Sequence, residues 1–86
     1  MKKEFSENAW KDYLYWQTQD RKTLKRINQL IRSIESTPFE GLGKPEPLRF
    51  DYSGYWSRRI NPTDRLIYRV EEDTIYLLAC RTHYQN

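Results

Sequence analysis

A single histidine, His83, stands near the end of an 86-residue chain that also carries fifteen lysines and arginines. Imidazole is the only side chain whose ordinary pKa lies near neutrality, so it can donate or accept a proton at physiological pH. Glu46 sits between Pro45 and Pro47, and prolines on both sides restrict the backbone and fix where the carboxylate points. Arg59, Arg65 and Arg69 lie between these two, and guanidinium groups suit phosphate. A carboxylate, an imidazole and nearby cations could together serve a ribose 2′-hydroxyl attacking its neighbouring phosphorus without a metal, a reaction that needs a base, an acid and cations. The base takes the hydroxyl proton, the acid protonates the leaving 5′-oxygen, and the cations hold the charge on the phosphoryl oxygens. Each part also has a plainer reading. A lone histidine near a chain end is commonly just exposed, a glutamate between prolines is commonly a solvated turn residue, and Tyr84 can simply pack back on a sheet. Cys80 and His83 form no usual metal-ligand set, and Gly41-Leu42-Gly43 is too short for a phosphate-binding loop.

These residues need elements to position them, and the first half of the chain reads as two helices. Ser6 is a good N-cap with Glu7 in the first turn. Trp10, Tyr13, Leu14 and Gln17 follow at spacings of three and four, with Ala9 and Trp16 widening the stripe. Asp20 can cap a second helix, in which Leu24, Ile27, Ile31 and Ile34, joined by Leu30, form an apolar stripe. Arg21, Lys22, Lys25, Arg26 and Arg32 face away from it. Thr37-Pro38 ends this helix, because the residue before a proline is steered out of helical conformation. Residues 1 to 5 can form a short strand. The stretch from Phe39 to Pro47 is turn chemistry. Strands are predicted over Trp56 to Ile60, Arg65 to Val70 and Thr74 to Arg81, separated by Asn61-Pro62-Thr63-Asp64 and Glu71-Glu72-Asp73. The layout is α+β, with two N-terminal helices packed on one face of a mainly antiparallel sheet.

Strand side chains alternate between faces, so turn length decides which residues are neighbours. If Ile60 pairs with Asp64, then Trp56, Ile60, Leu66, Tyr68 and Val70 share one face, marred only by Arg58. The other face carries Ser57, Arg59, Arg65, Ile67 and Arg69. A shift by one residue would mix arginine with core residues on both faces, which is costly, so the first register is the prediction. The arginines on the uncovered face have two readings. They either solvate it, paired with Glu71, Glu72 or Asp73, or they hold phosphates and stack with bases.

Three tryptophans, seven tyrosines and three phenylalanines supply core area to a short chain, which is expected to form one domain over 1–86. The net charge of +3 argues only weakly for nucleic acid. No apolar run approaches the roughly 20 residues needed to span a bilayer, and no apolar stretch follows Met1-Lys2-Lys3 as in a signal peptide. Cys80 is the only cysteine, which suits a reducing cytoplasm, and its apolar surroundings favour a small buried hydrophobe over a nucleophile.

Several blocks along the chain carry a resemblance: Trp10 through Trp16, Thr37 through Gly41, Gly43 through Leu48, Ser53 through Ile60, and the ending Cys80-Arg81-Thr82-His83-Tyr84. In order, and over essentially the whole length, they resemble the YoeB family of toxin–antitoxin ribonucleases within the RelE-like superfamily. The resemblance implies a microbial-RNase-like fold. It implies a cytoplasmic toxin that enters the ribosomal A site and cleaves mRNA without a cofactor or metal, restrained by a YefM-like antitoxin and forming homodimers. Carried over by position, Glu46 would be the general base and His83 the general acid. Arg65, helped by Arg59, would stabilise the phosphoryl charge, and Tyr84 would position substrate. Where the family commonly has lysine two positions after Pro-Glu-Pro, this chain has Arg49, which keeps the charge and changes the geometry. Gln85 and Asn86 extend past the usual end. Two other readings of the basic face stay open: a sheet that docks on RNA or the ribosome without cutting, and an interaction subunit whose face meets only an acidic antitoxin segment.

Overall fold

A computed structural model describes residues 1–82 of the chain. The order of elements is β1 (Lys2–Phe5), α1 (Glu7–Gln19), α2 (Arg21–Ser36), β2 (Glu46–Pro47), a short 3-10 turn (Phe50–Tyr52), β3 (Trp56–Arg59), β4 (Arg65–Glu71) and β5 (Thr74–Thr82). The five strands form one sheet in the order β1-β5-β4-β3-β2. Only the β1–β5 pairing is parallel; the others are antiparallel. Both helices pack on one side of this sheet, as the sequence predicts.

Local chemistry accounts for the helix ends. The Ser6 hydroxyl accepts from the Ala9 amide at 2.9 Å and starts α1. Asp20 serves both helices: its backbone N–H donates to the Trp16 carbonyl, closing α1, while its carboxylate accepts from the amides of Lys22 and Thr23, opening α2. Thr37 donates to the Ser33 carbonyl and Pro38 permits no further turn.

The main core lies between helices and sheet. Ile27, Leu30, Ile31 and Ile34 of α2 meet Ile60, Leu66, Tyr68, Ile75, Leu77 and Cys80. In α1 the buried positions are Ala9, Asp12 and Trp16, whereas Trp10 is 47% and Leu14 41% exposed. Ala9 and Trp16, expected at the margin of the stripe, lie in the core with Tyr13 packed against it, so the inward face is rotated toward them and away from Trp10 and Leu14. The reason is Asp12, a charged residue that no apolar pattern would place inside, which is buried because it accepts the backbone N–H of Cys80 at 3.0 Å.

Register follows the β3–β4 turn. The Asn61 side chain accepts from the amides of Thr63 and Asp64, and the Ile60 N–H reaches the Asp64 carbonyl at 3.0 Å. Trp56, Ser57, Arg58 and Arg59 then face Tyr68, Ile67, Leu66 and Arg65, the expected alignment. The face away from the helices differs from the expected open basic surface. Leu48, Ile67 and Ala79, flanked by Tyr55 and Leu78, form a second small core there. The chain between Leu48 and Tyr55 folds over it, and a 2.9 Å hydrogen bond from the Leu48 N–H to the Tyr55 carbonyl closes that turn.

Candidate active site

Arg65 begins β4 on the face away from the helices. Its Nη1 donates to Glu46 Oε1 at 2.8 Å and to Ser57 Oγ at 3.1 Å. The pair is reachable from solvent, with side-chain exposure of 44% for Glu46 and 21% for Arg65. Glu46 lies opposite Ser57 in the β2–β3 ladder, and Arg59 lies directly opposite Arg65 in β3–β4. On the other flank, Thr82 of β5 lies opposite Arg65. Residues directly opposite in a ladder share a face, so Glu46, Ser57, Arg59, Arg65 and Thr82 gather at one end of one face. Arg49 is exposed two residues beyond β2, at the start of the 3-10 turn. His83 and Tyr84 lie outside the described residues.

Arg69, the remaining arginine of this face, belongs elsewhere. It pairs with Glu71 and stacks 3.9 Å above the Tyr76 ring, which is the plainer reading of that residue. Ser57, which sequence reasoning placed on this face without a role, is fully buried and holds Arg65 from beneath.

The residue that sequence reasoning treated as a blemish carries the segment ahead of Glu46. Arg58 is 0% exposed, on the helix side of β3. Its Nη1 donates to Ser33 Oγ at 2.7 Å and to the Leu42 carbonyl at 2.9 Å. Its Nη2 donates to the carbonyls of Thr37 and Glu40, both at 2.7 Å, and its Nε to the Tyr68 hydroxyl at 3.1 Å. The Tyr68 hydroxyl in turn donates to the Pro38 carbonyl at 2.7 Å, and burial pushes this phenol's pKa up despite the opposing pull of Arg58. One planar guanidinium thus ties down the loop from Thr37 to Leu42 without any carboxylate partner among the described residues. Gly43 completes the loop at φ +87°, where an added Cβ would lie 2.7 Å from Leu30 Cδ2, and its carbonyl accepts from the Arg59 amide at 2.7 Å. The signal available in sequence was an arginine on an otherwise apolar strand face.

The far end of β5 is held by α1. β1 pairs with β5 only from Thr74 to Leu77, and α1 side chains take over from there. The Ser6 hydroxyl donates to the Leu78 carbonyl at 2.7 Å, Asp12 accepts the Cys80 N–H, and Trp16 Nε1 donates to the Cys80 carbonyl at 2.8 Å. The Cys80 thiol is buried, which with the Asp12 and Asp64 charges pushes its pKa to about 12. It is an inert core group, as the sequence suggests.

Two helices behind a five-stranded sheet, with arginines gathered round a carboxylate on the other face, define a RelE-like toxin fold. The chain belongs to the family of YoeB-like toxins of bacterial type II toxin–antitoxin systems, whose family model matches residues 5–84. It is 54% identical over 84 residues to Toxin YoeB of Escherichia coli K12, covering 98% of this chain and all of that protein. The YoeB dimer from Staphylococcus aureus superposes with a TM-score of 0.93 at 44% identity, covering 98% of each chain. YoeB in the heterotetrameric YoeB–YefM complex from the same organism superposes at 0.91, also with 44% identity and 98% coverage of each chain. The chain is thus the toxin of a type II system, of the YoeB family.

Proposed function

We propose that this toxin is an endoribonuclease that cleaves mRNA in the ribosomal A site, and that residues 1–86 act as one catalytic domain. Glu46 takes the proton from the 2′-hydroxyl, the 2′-oxygen attacks phosphorus, and the 5′-oxygen leaves with a proton from His83. The products are a 2′,3′-cyclic phosphate and a 5′-hydroxyl, so no water or metal enters the step. Arg65, with Arg59 opposite it, holds the phosphoryl oxygens as charge gathers there. Arg49 binds the neighbouring backbone and Tyr84 positions the substrate.

One observation carries this reading: the Glu46–Arg65 contact on the sheet face away from the helices, with β5 delivering Thr82 opposite Arg65. His83 is the next residue, and successive Cα atoms are only about 3.8 Å apart. An arriving phosphate would compete for Arg65 Nη1 and free the Glu46 carboxylate to face the 2′-hydroxyl. The YoeB–YefM assembly and the YoeB dimer of Staphylococcus aureus support two protein partners for this chain, a YefM-like antitoxin and a second copy. The exposed Trp10 and Leu14 of α1 offer apolar surface for such contacts. Among the described residues no helix is long and apolar enough to cross a membrane, and the proposed site of action is the cytoplasm.

The test maps mRNA ends on translating ribosomes programmed with wild-type, His83→Gln or Glu46→Gln protein. The enzyme reading expects both variants to bind ribosomes and leave the mRNA whole. Cleavage by His83→Gln at the wild-type rate would remove the acid from the mechanism. Arrested translation with intact mRNA in all three would favour a toxin that docks without cutting.

A further inference from the structure

β5 does not run regularly along β4. Tyr68 pairs with Leu77, Ile67 with Ala79, and Arg65 with Thr82, so β5 holds one extra residue in each of two successive intervals. Continued from Tyr68–Leu77 without interruption, the ladder would set Cys80 opposite Arg65. The two bulges place Thr82 there instead. Bulges bend a strand and re-aim the side chains beyond them, and an irregular strand end needs partners for the backbone groups it frees from the ladder.

Helix α1 supplies those partners at Cys80. Its N–H donates to Asp12 Oδ2 at 3.0 Å and its carbonyl accepts from Trp16 Nε1 at 2.8 Å. Asp12 and Trp16 are one turn apart on α1, and both are buried, so their side chains are fixed where the strand bends. The next residue, Arg81, lies 3.5 Å over the Tyr15 ring, a third hold from the same helix.

We infer that Asp12 and Trp16 are positioning residues for the reaction proposed above. By binding both backbone polar groups of Cys80 they fix the bulged register of β5, and through it the placement of His83 against the Glu46–Arg65 pair. The inference rests on His83 acting as the acid. A general acid misplaced by about 1 Å can lose on the order of a hundredfold in rate, so a register held by two side-chain hydrogen bonds bears directly on turnover. Neither residue touches substrate in this scheme.

The test uses untagged protein of residues 1–86, whose single histidine gives one unambiguous Hε1 NMR signal. Trp16→Phe removes the indole donor and keeps an aromatic ring. Asp12→Leu removes the acceptor, and Asp12→Asn restores one through its amide oxygen. Replacing Trp16 by 3-benzothienylalanine exchanges the N–H for sulfur at nearly constant shape, which keeps the question open to measurement should Trp16→Phe unfold. The expected result is a single-turnover cleavage rate at saturating ribosomes lower by roughly tenfold to a hundredfold for the donor and acceptor deletions. Ribosome affinity should be unchanged, the histidine signal moved or broadened, and Asp12→Asn close to wild type. Added to His83→Gln, the Trp16 change should cost no more rate. Folded deletion variants with wild-type rates and an unmoved histidine signal would overturn the inference, as would a full additional loss on top of His83→Gln. A His83→Gln protein that cleaves normally would instead overturn the parent mechanism.

Discussion

Replacing Arg58 by methionine keeps an unbranched stem in the core and removes every guanidinium donor to the loop before Glu46. Ser33 Oγ and the Tyr68 hydroxyl retain other partners, since Ser33 Oγ also accepts the Leu42 amide and Tyr68 donates to Pro38. The Leu42 carbonyl loses its 2.9 Å bond, while those of Thr37 and Glu40 lose bonds of 2.7 Å and keep longer ones from the Glu40 amide at 3.3 Å and Thr37 Oγ1 at 3.1 Å. Each such loss costs about 1–3 kcal/mol when the oxygen stays dry. Relief from burying a charge, and water reaching the loosened loop, offset part of the sum, leaving a net loss of about 3–5 kcal/mol. A chain of this length has a total of only about 4–13 kcal/mol at the usual stability per residue. Urea unfolding followed by tryptophan fluorescence should show a midpoint lower by at least ~1 M with an unchanged slope. Arg58→Lys should recover less than half of the loss, because an ammonium has three donors and no planar fork. Methionine at a cost below about 1 kcal/mol would refute the view that these carbonyls depend on the guanidinium.

Other perturbations test separate parts of the structure. Ser6→Ala removes the α1 cap and the bond to Leu78 and should cost about 1–2 kcal/mol, with faster amide exchange at Ala9. Cys80, with a thiol pKa of about 12, should resist a thiol-disulfide reagent at pH 8 in native protein and react promptly in denaturant; prompt labelling of folded protein would contradict its burial. Hydrogen bonds from Thr23 to Asp20 and from Lys3 to Glu35 hold both carboxyls below their ordinary 3.8 and 4.5. A lowered folded-state pKa adds stability above the ordinary value and surrenders it as pH falls through the folded value. Unfolding free energy should therefore drop below about pH 4.5, and Lys3→Met should shrink the Glu35 share of that drop, the N-terminal amine 3.8 Å away keeping the remainder.

How much of this was legible beforehand depended on whether position or partner decided the matter. The Asn61–Asp64 turn fixed the β3–β4 register, so the juxtaposition of Arg59 and Arg65 could be read from turn length and alternation. The Ser6 and Asp20 caps were equally local and equally readable. Arg58 and Asp12 were not, because each is a polar residue buried by partners as far as 25 and 68 residues away. An apolar pattern discards such residues, and discarding Asp12 rotated the inferred inner face of α1. The β2 strand was missed since two residues ending in proline give no alternation, and proline is tolerated only because β2 is an edge. The bulges of β5 have no glycine to announce them; they accompany bonds that α1 makes at Cys80 from residues 64 and 68 positions away.

The sheet order has a temporal consequence. Among the described residues β1 and α1, the first elements, find their strand partner only in β5, the last: Ser6 bonds Leu78 across 72 positions and Asp12 bonds Cys80 across 68. A nascent chain still missing its final strand can neither seat its first helix nor align Arg65 with a neighbour on that flank. Contacts of such long sequence separation must await closure of most of the chain, which slows folding. The sheet is therefore incomplete in any chain that stops short of β5, and α1 then lacks the bonds it makes to Leu78 and Cys80.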